Sequence, residues 1–260
     1  MKFKYGIGLT LSVLLGLGAC EKTPVEKAEE GTLLLTFEHT FGQDAFQLGE
    51  AFTTTSGDAL RISDLRYFIS NVKLRNRQTG EFYLEPDSYH LMELASGQSL
   101  DSIRLEHVVP GTYDELEFAI GVDNARNTSI DQIGDLDPAS GMAWNWNTGY
   151  KFFLLEGTYF SDTAQADRAL TYHIGGNANY RILKFALPLT ADPPLTVRNQ
   201  YTTEVKMQAD LAEVFEEPHP IRLDELNFAM FEPVSSGKIA DNYATGVFSV
   251  ADVVLPSLPD

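Results

Sequence analysis

Cysteine is nearly missing from this 260-residue chain, in which Cys20 stands alone. A fold without a second thiol has no disulfide and no thiolate metal cage, so its stability must come from a packed core. Basic residues are scarce too, with 19 Lys and Arg against 37 Asp and Glu for a formal net charge of −18. That surface repels phosphate backbones and anionic headgroups, which excludes nucleic acid as an expected partner. The apolar run from Gly6 to Ala19 is too short for an ordinary membrane span. Nowhere does the sequence carry a P-loop, a G-x-G-x-x-G after a predicted strand, an H-E-x-x-H or a G-x-S-x-G. With no nucleophile–base set visible, the chain is expected not to be an enzyme.

What is present begins with an export signal. Lys2 and Lys4 precede the apolar run, which ends Leu17-Gly18-Ala19-Cys20, the pattern of a bacterial lipoprotein. Residues 1–19 are expected to be a signal peptide, 20–31 a lipidated flexible tether, and 32–260 a single domain. Acyl chains on Cys20 would hold the protein to a membrane of the bacterial cell envelope, facing the periplasm or the exterior. About 240 residues remain, enough for one large β domain.

Short alternating runs dominate that remainder. Strands are expected at Thr32–Phe37, Arg66–Arg75, Tyr89–Leu94, Leu116–Val122, Leu170–Ile174, Ile182–Leu189, Gln200–Ala209 and Val247–Val254. Gln78-Thr79-Gly80 reads as a hairpin turn and Val109-Pro110-Gly111 as another. Asp210, an N-cap residue before Leu-Ala-Glu-Val-Phe215, predicts one short helix, and Ile239–Tyr243 a further helical turn. The fold class that follows is all-β: a single-domain antiparallel β-sandwich or open barrel with long loops and one or two short helices.

The two tryptophans, Trp144 and Trp146, lie two residues apart after a polar loop from Asp123 to Ser140. On extended backbone both indoles fall on one face, with Met142 in line. Two large aromatic rings read first as a core anchor. A loop of that length in a compact domain is usually functional. Its Asp131, Asp135 and Asp137, with Asn124 and Asn127, offer oxygens to Ca²⁺ but lack EF-hand spacing, and turn-forming hydrogen bonds are the better reading. Of five histidines, His107, three residues before Pro110, and His219, between Pro218 and Pro220, are expected in loops. His39 lies at the end of the first predicted strand, and His90 and His173 fall on predicted strands; imidazole suits copper or zinc in an exported domain.

Four segments together resemble one known family: Phe118-Ala-Ile-Gly-Val-Asp-Asn-Ala-Arg-Asn127, Gly134-Asp-Leu-Asp-Pro138, Gly141-Met-Ala-Trp-Asn-Trp-Asn-Thr-Gly-Tyr150 and Tyr172-His-Ile-Gly-Gly176. They are similar to the MbnP-like proteins, as are Tyr67–Leu74 and Ile239–Tyr243, so the likeness covers nearly all of the mature chain. The resemblance implies an extracytoplasmic, all-β copper-binding protein acting in uptake, storage or delivery. It further implies copper held by two histidines and a tryptophan oxidised to kynurenine, the oxidation performed by a di-haem cytochrome c peroxidase-like partner. Carried onto this sequence, the ligands are His39 with His90 or His173, and Trp144 or Trp146 is the oxidisable residue. Phe41 stands where some copper-binding relatives carry the modified tryptophan. The rival expectation is a structural or interaction lipoprotein in which the tryptophans anchor the core.

Overall fold

The computed structural model describes residues 29–94, 100–129, 131–145, 148–187 and 194–255, together with Met1. Cys20, Trp146 and the expected signal peptide lie outside the described residues. The strands in chain order are β1 (Gly31–Phe41), β2 (Asp44–Ala45), β3 (Ala51–Thr53), β4 (Ala59–Arg75), β5 (Phe82–Leu84), β6 (Tyr89–Glu93), β7 (Leu100–Val108), β8 (Gly111–Thr112) and β9 (Glu115–Ile120). They continue as β10 (Ala143–Asn145), β11 (Gly149–Ser161), β12 (Ala166–Gly175), β13 (Arg181–Ala186), β14 (Thr196–Val197), β15 (Thr202–Asp210), β16 (Phe228–Ala229) and β17 (Phe248–Val254). Two helices are described, α1 (Asn124–Asn127) and α2 (Ser235–Asn242).

The all-β architecture follows directly from the alternating runs. One sheet runs β17-β15-β1, with β7 and β2 along the other edge of β1. The larger sheet is built around β4, whose 17 residues make it the longest strand described. Tyr67 pairs with both Phe153 and Met92, and Ile69 with both Ile120 and His90. Strands β11 and β9 therefore share one edge of β4 in succession, while β3, β6 and β5 take the other. Asn71, at φ 55°, marks the bulge where the register with β9 slips, and such a bulge bends and twists its strand.

Pairing is mostly antiparallel, as expected, but β1 and β15 run parallel over nine residue pairs, Thr32↔Thr202 to Thr40↔Asp210. Nothing in a local hairpin forces their direction, because they come from opposite ends of the domain. Asp210 does cap the next turn, accepting from the Ala212 amide at 3.0 Å, although Leu211–Phe215 is a 3-10 turn and not an α-helix.

Period-two geometry sorts β4 and β11 into two cores. Leu65, Tyr67, Ile69, Phe153 and Leu155 face the other sheet and bury themselves with Leu33, Leu35 and Phe37 of β1. Phe68, Tyr150, Phe152 and Leu154 face the opposite way, into a second cluster closed by Val122, Leu136 and Met142. Complete burial of each such side chain contributes about 1.5–3 kcal/mol. The second cluster is why the polar-looking loop after β9 lies down on the sheet: it carries the apolar residues that roof it.

Candidate functional site

The segment Asp123–Asn127 is tied into the fold by its own polar atoms. Asp123 accepts from the Tyr89 hydroxyl, from Asn71 Nδ2 at 3.1 Å and from the Ala125 amide at 2.9 Å. Burial alone would raise its pKa, but these hydrogen bonds outweigh burial and hold the carboxyl below its ordinary value. Tyr89 responds in the opposite sense, pushed up first by burial and then by its bond to Asp123. Asn127 accepts from the Tyr150 amide at 2.8 Å through Oδ1, and a Cβ at Gly149 would come within 2.2 Å of that oxygen. Gly149 also sits at φ 76°, so this position needs glycine for two reasons.

The carboxylates of the loop do structural work of the kind turns require. Asp137 caps a 3-10 turn by accepting from Ala139 N at 2.8 Å, and Asp135 accepts from Leu91 N at 2.8 Å. Arg126 reaches Asp87 at 2.5 Å and lies 5.7 Å from the centre of the Tyr89 ring. Between this loop and β6 is a cleft of about 560 Å³, lined by Asp87, Tyr89, His90, Arg126, Asp131 and Asp135 among others. His90 stands at its edge, half-buried, with Nε2 2.7 Å from Glu85 Oε2.

His39 is in a different environment. It is fully buried on β1, and its Nε2 lies 2.8 Å from the Tyr67 hydroxyl. Burial, and secondarily the charge of Asp101, pushes the Tyr67 pKa well up. Tyr67 in turn packs against Phe153 and Phe248, with ring centres 6.1 and 5.6 Å away. Two residues on, Phe41 stacks on Phe52 at 4.8 Å. A phenyl ring offers no donor atom, so Phe41 supplies no ligand beside His39.

His173 lies on the other side of the large sheet. It pairs across strands with Leu154, a member of the second cluster, while its neighbours Tyr172 and Ile174 point into the main core. His39 and His173 thus lie on opposite sides of the large sheet, and among the described residues no group of three His, Cys, Asp or Glu side chains gathers at metal-binding spacing. Nε2 of His173 is 2.6 Å from Glu156 Oε1, with the imidazole 14% and the carboxylate 43% exposed.

Trp144 shares that outer face with His173. A Cβ at Gly175 would come within 2.6 Å of Trp144 Cζ3 and 2.4 Å of the Tyr150 carbonyl oxygen, so the indole lies directly over the bare backbone at 175. Two residues along a strand is one step on the same face, about 7 Å between Cα atoms. Trp144 and the exposed Phe231 ring pack at a steep angle, with ring centres 5.6 Å apart. Trp144 is half-buried, whereas Met142 is fully buried in the second cluster. The glycine at 175 in the Tyr172–Gly176 segment therefore has a steric reason: it is the seat of the indole.

Around these two residues lie four charges. Asp64 pairs across strands with Glu156, but Arg66 holds Asp64 with two hydrogen bonds, 3.0 and 2.7 Å, and donates a third to Ser140 O at 2.8 Å. Lys151 Nζ donates to Gly141 O at 2.9 Å, and burial, reinforced by the nearby Arg66 charge, pushes its pKa down. An imidazole, an adjacent carboxylate and an indole thus gather on one outer face.

Comparison with known proteins agrees with this architecture. A family model described as MbnP matches residues 30–232. Among solved structures, MbnP from Methylosinus trichosporium is similar in fold, with a TM-score of 0.52 and 16% identity over 86% of this chain and 99% of that one. A putative cell adhesion protein from Bacteroides ovatus ATCC 8483 matches with a TM-score of 0.24 and 9% identity, over 89% of this chain and 47% of that one, too low a score to bear on the fold. No curated protein matches the chain. The match to the family model spans most of the domain, and the chain belongs to the MbnP family.

Proposed function

We propose that this chain is a copper-handling protein of the cell envelope, non-enzymatic and tethered through lipid on Cys20, acting in copper uptake, storage or delivery. The observation that carries the reading is the shared outer face of His173 and Trp144, joined through the bare backbone of Gly175. Imidazole nitrogen is a good copper donor, and an indole opened to kynurenine would add an aromatic amine. A di-haem cytochrome c peroxidase-like protein is the partner the reading calls for, with Trp144 or Trp146 as the residue it oxidises. In this reading His39 is a structural residue of the core and His90 belongs to the neighbouring cleft. The test is intact mass and copper content of the lipoprotein purified from cells that do and do not express such a partner. The reading expects copper in the protein, and with the partner present a mass gain equal to dioxygen less carbon monoxide. Protein of unaltered mass and free of copper under both conditions contradicts it.

A second reading, a structural or interaction lipoprotein without metal, is favoured by one observation. Nε2 of His39, His90 and His173 each already has a different protein partner, at 2.8, 2.7 and 2.6 Å. The copper content of the native protein separates the two.

A further inference from the structure

We infer that the cleft between β6 and the loop after β9 binds a short zwitterionic peptide. Arg126 receives its terminal carboxylate, Asp131 its terminal ammonium, and Ile133 with Leu136 an apolar side chain. This site needs no metal and shares no residue with the His173 face. At about 560 Å³ the cleft has the size of a small-molecule site, roughly 300–1,000 Å³.

Arg126 is held ready for a carboxylate. Its guanidinium lies over the Tyr89 ring, 5.7 Å from the centre, and the Tyr89 hydroxyl is itself fixed by Asp123. Nη1 donates to Gln132 Oε1 at 3.2 Å, and Gln132 is locked in turn by donating to the Arg126 and Ser129 carbonyls at 2.8 and 2.7 Å. Among the described residues only Gln132 and Asp87 accept from the guanidinium, so three of its five N–H groups remain. A planar fork with spare donors grips a carboxylate through two parallel bonds. Asp87, at 72% exposure, is a surface partner of the kind that contributes little and yields readily to a second carboxylate.

The opposite charge is also in place. Asp135 is engaged by the Leu91 amide and Asp87 by Arg126, whereas no group among the described residues donates to the Asp131 carboxylate. A ligand ammonium supplies the missing donors. Between the charges stands Ile133, 89% exposed although it lines the cleft with the buried Leu136, and an apolar ligand side chain would take it out of water. Other ligand classes fit less well. A phosphate or other polyanion would meet three carboxylates against one guanidinium, and no metal-binding group of His, Cys, Asp or Glu gathers among the described residues.

The experiment is isothermal titration calorimetry of the purified mature chain in chelator-treated buffer with the dipeptide Leu-Leu. N-acetyl-Leu-Leu, which lacks the ammonium, and Leu-Leu amide, which lacks the carboxylate, are titrated in parallel. The wild type is compared with Arg126→Gln and Asp131→Asn, and thermal melts verify that each variant is folded. Wild type should bind Leu-Leu at least tenfold more tightly than either blocked form. Arg126→Gln should weaken Leu-Leu at least tenfold and leave the amide as in the wild type. Asp131→Asn should weaken Leu-Leu at least fivefold and leave the N-acetyl form unchanged. A wild-type chain that does not bind Leu-Leu, or binds the blocked forms equally well, overturns the assignment. So do folded variants with wild-type affinity. Should Arg126→Gln not fold, the blocked peptides and the exposed Asp131→Asn site still decide the outcome.

Discussion

Replacing Gly175 with alanine tests the geometry on which the site is built. Its new Cβ would sit 2.4 Å from the Tyr150 carbonyl oxygen and 2.6 Å from Trp144 Cζ3. Rotation can move the indole, but the carbonyl belongs to the strand partner, and only a shift of β11 against β12 relieves it. Overpacking of this kind costs about 1–3 kcal/mol, and the backbone obstacle places Gly175→Ala at about 2–3 kcal/mol. For a domain of this size that is a fall in Tm of roughly 4–12 °C. Gly176→Ala is the internal control: at φ +86° it pays a conformational cost, yet its Cβ meets nothing nearer than Phe231 at 3.6 Å. Differential scanning calorimetry gives the stabilities. Fluorescence in a Trp146→Phe background reports Trp144, whose emission should shift to the red as the ring is displaced in Gly175→Ala but not in Gly176→Ala. A Gly175→Ala protein with unchanged Tm and unchanged emission would refute the packing of Trp144 on β12.

Other perturbations follow from the same contacts. Gly149→Ala meets the Asn127 side-chain oxygen at 2.2 Å and its carbonyl at 2.5 Å on positive-φ backbone, and should lose more stability than Gly175→Ala in urea unfolding. Asp123→Asn removes the charged acceptor of the Tyr89 and Asn71 donors and should cost about 1.5–3 kcal/mol at neutral pH. Because the folded pKa of Asp123 is depressed, its stabilisation is complete above the unfolded value of 3.8 and is lost as pH falls through the lower folded value. Denaturant melts from pH 7 down to pH 2 should therefore show a shallower acid decline in Asp123→Asn. Tyr67→Phe strips the hydroxyl facing His39 and should destabilise by about 1–3 kcal/mol, while copper binding, measured by dialysis, stays unchanged.

Much of the fold can be read from local pattern, because strand and turn chemistry are local. The Gln78–Gly80 turn is closed by Asn76, whose side chain accepts from the amides of Gln78 and Thr79, and β4 then pairs with β5. What local pattern does not carry is which strands meet. The parallel β1–β15 pair joins segments whose paired residues are 170 apart, such as Thr32 and Thr202. The second core is not legible in local pattern for a related reason. Leu136 and Met142 are isolated apolar residues in a polar stretch, and only the outward faces of β4 and β11 make them a roof.

The site divides along the same line. Trp144 and His173 stood out by residue type, and the resemblance grouped them, but the reason for their company is a missing Cβ at Gly175. His39 stood out equally, yet the even alternation of β1 turns it inward to Tyr67, where no sequence pattern announced a hydroxyl. Glu156 was hidden in the run Lys151–Glu156 as one more charge on a strand. Its contact with His173 depends on a register that no single-strand periodicity encodes.

The most direct test of the central claim is equilibrium dialysis of the purified mature chain against Cu(II), with metal counted per protein. Copper handling through the His173 face predicts one tightly held ion per chain, reduced to background in folded His173→Ala. A wild-type chain that retains no copper, or a His173→Ala variant that retains as much as the wild type, would contradict it.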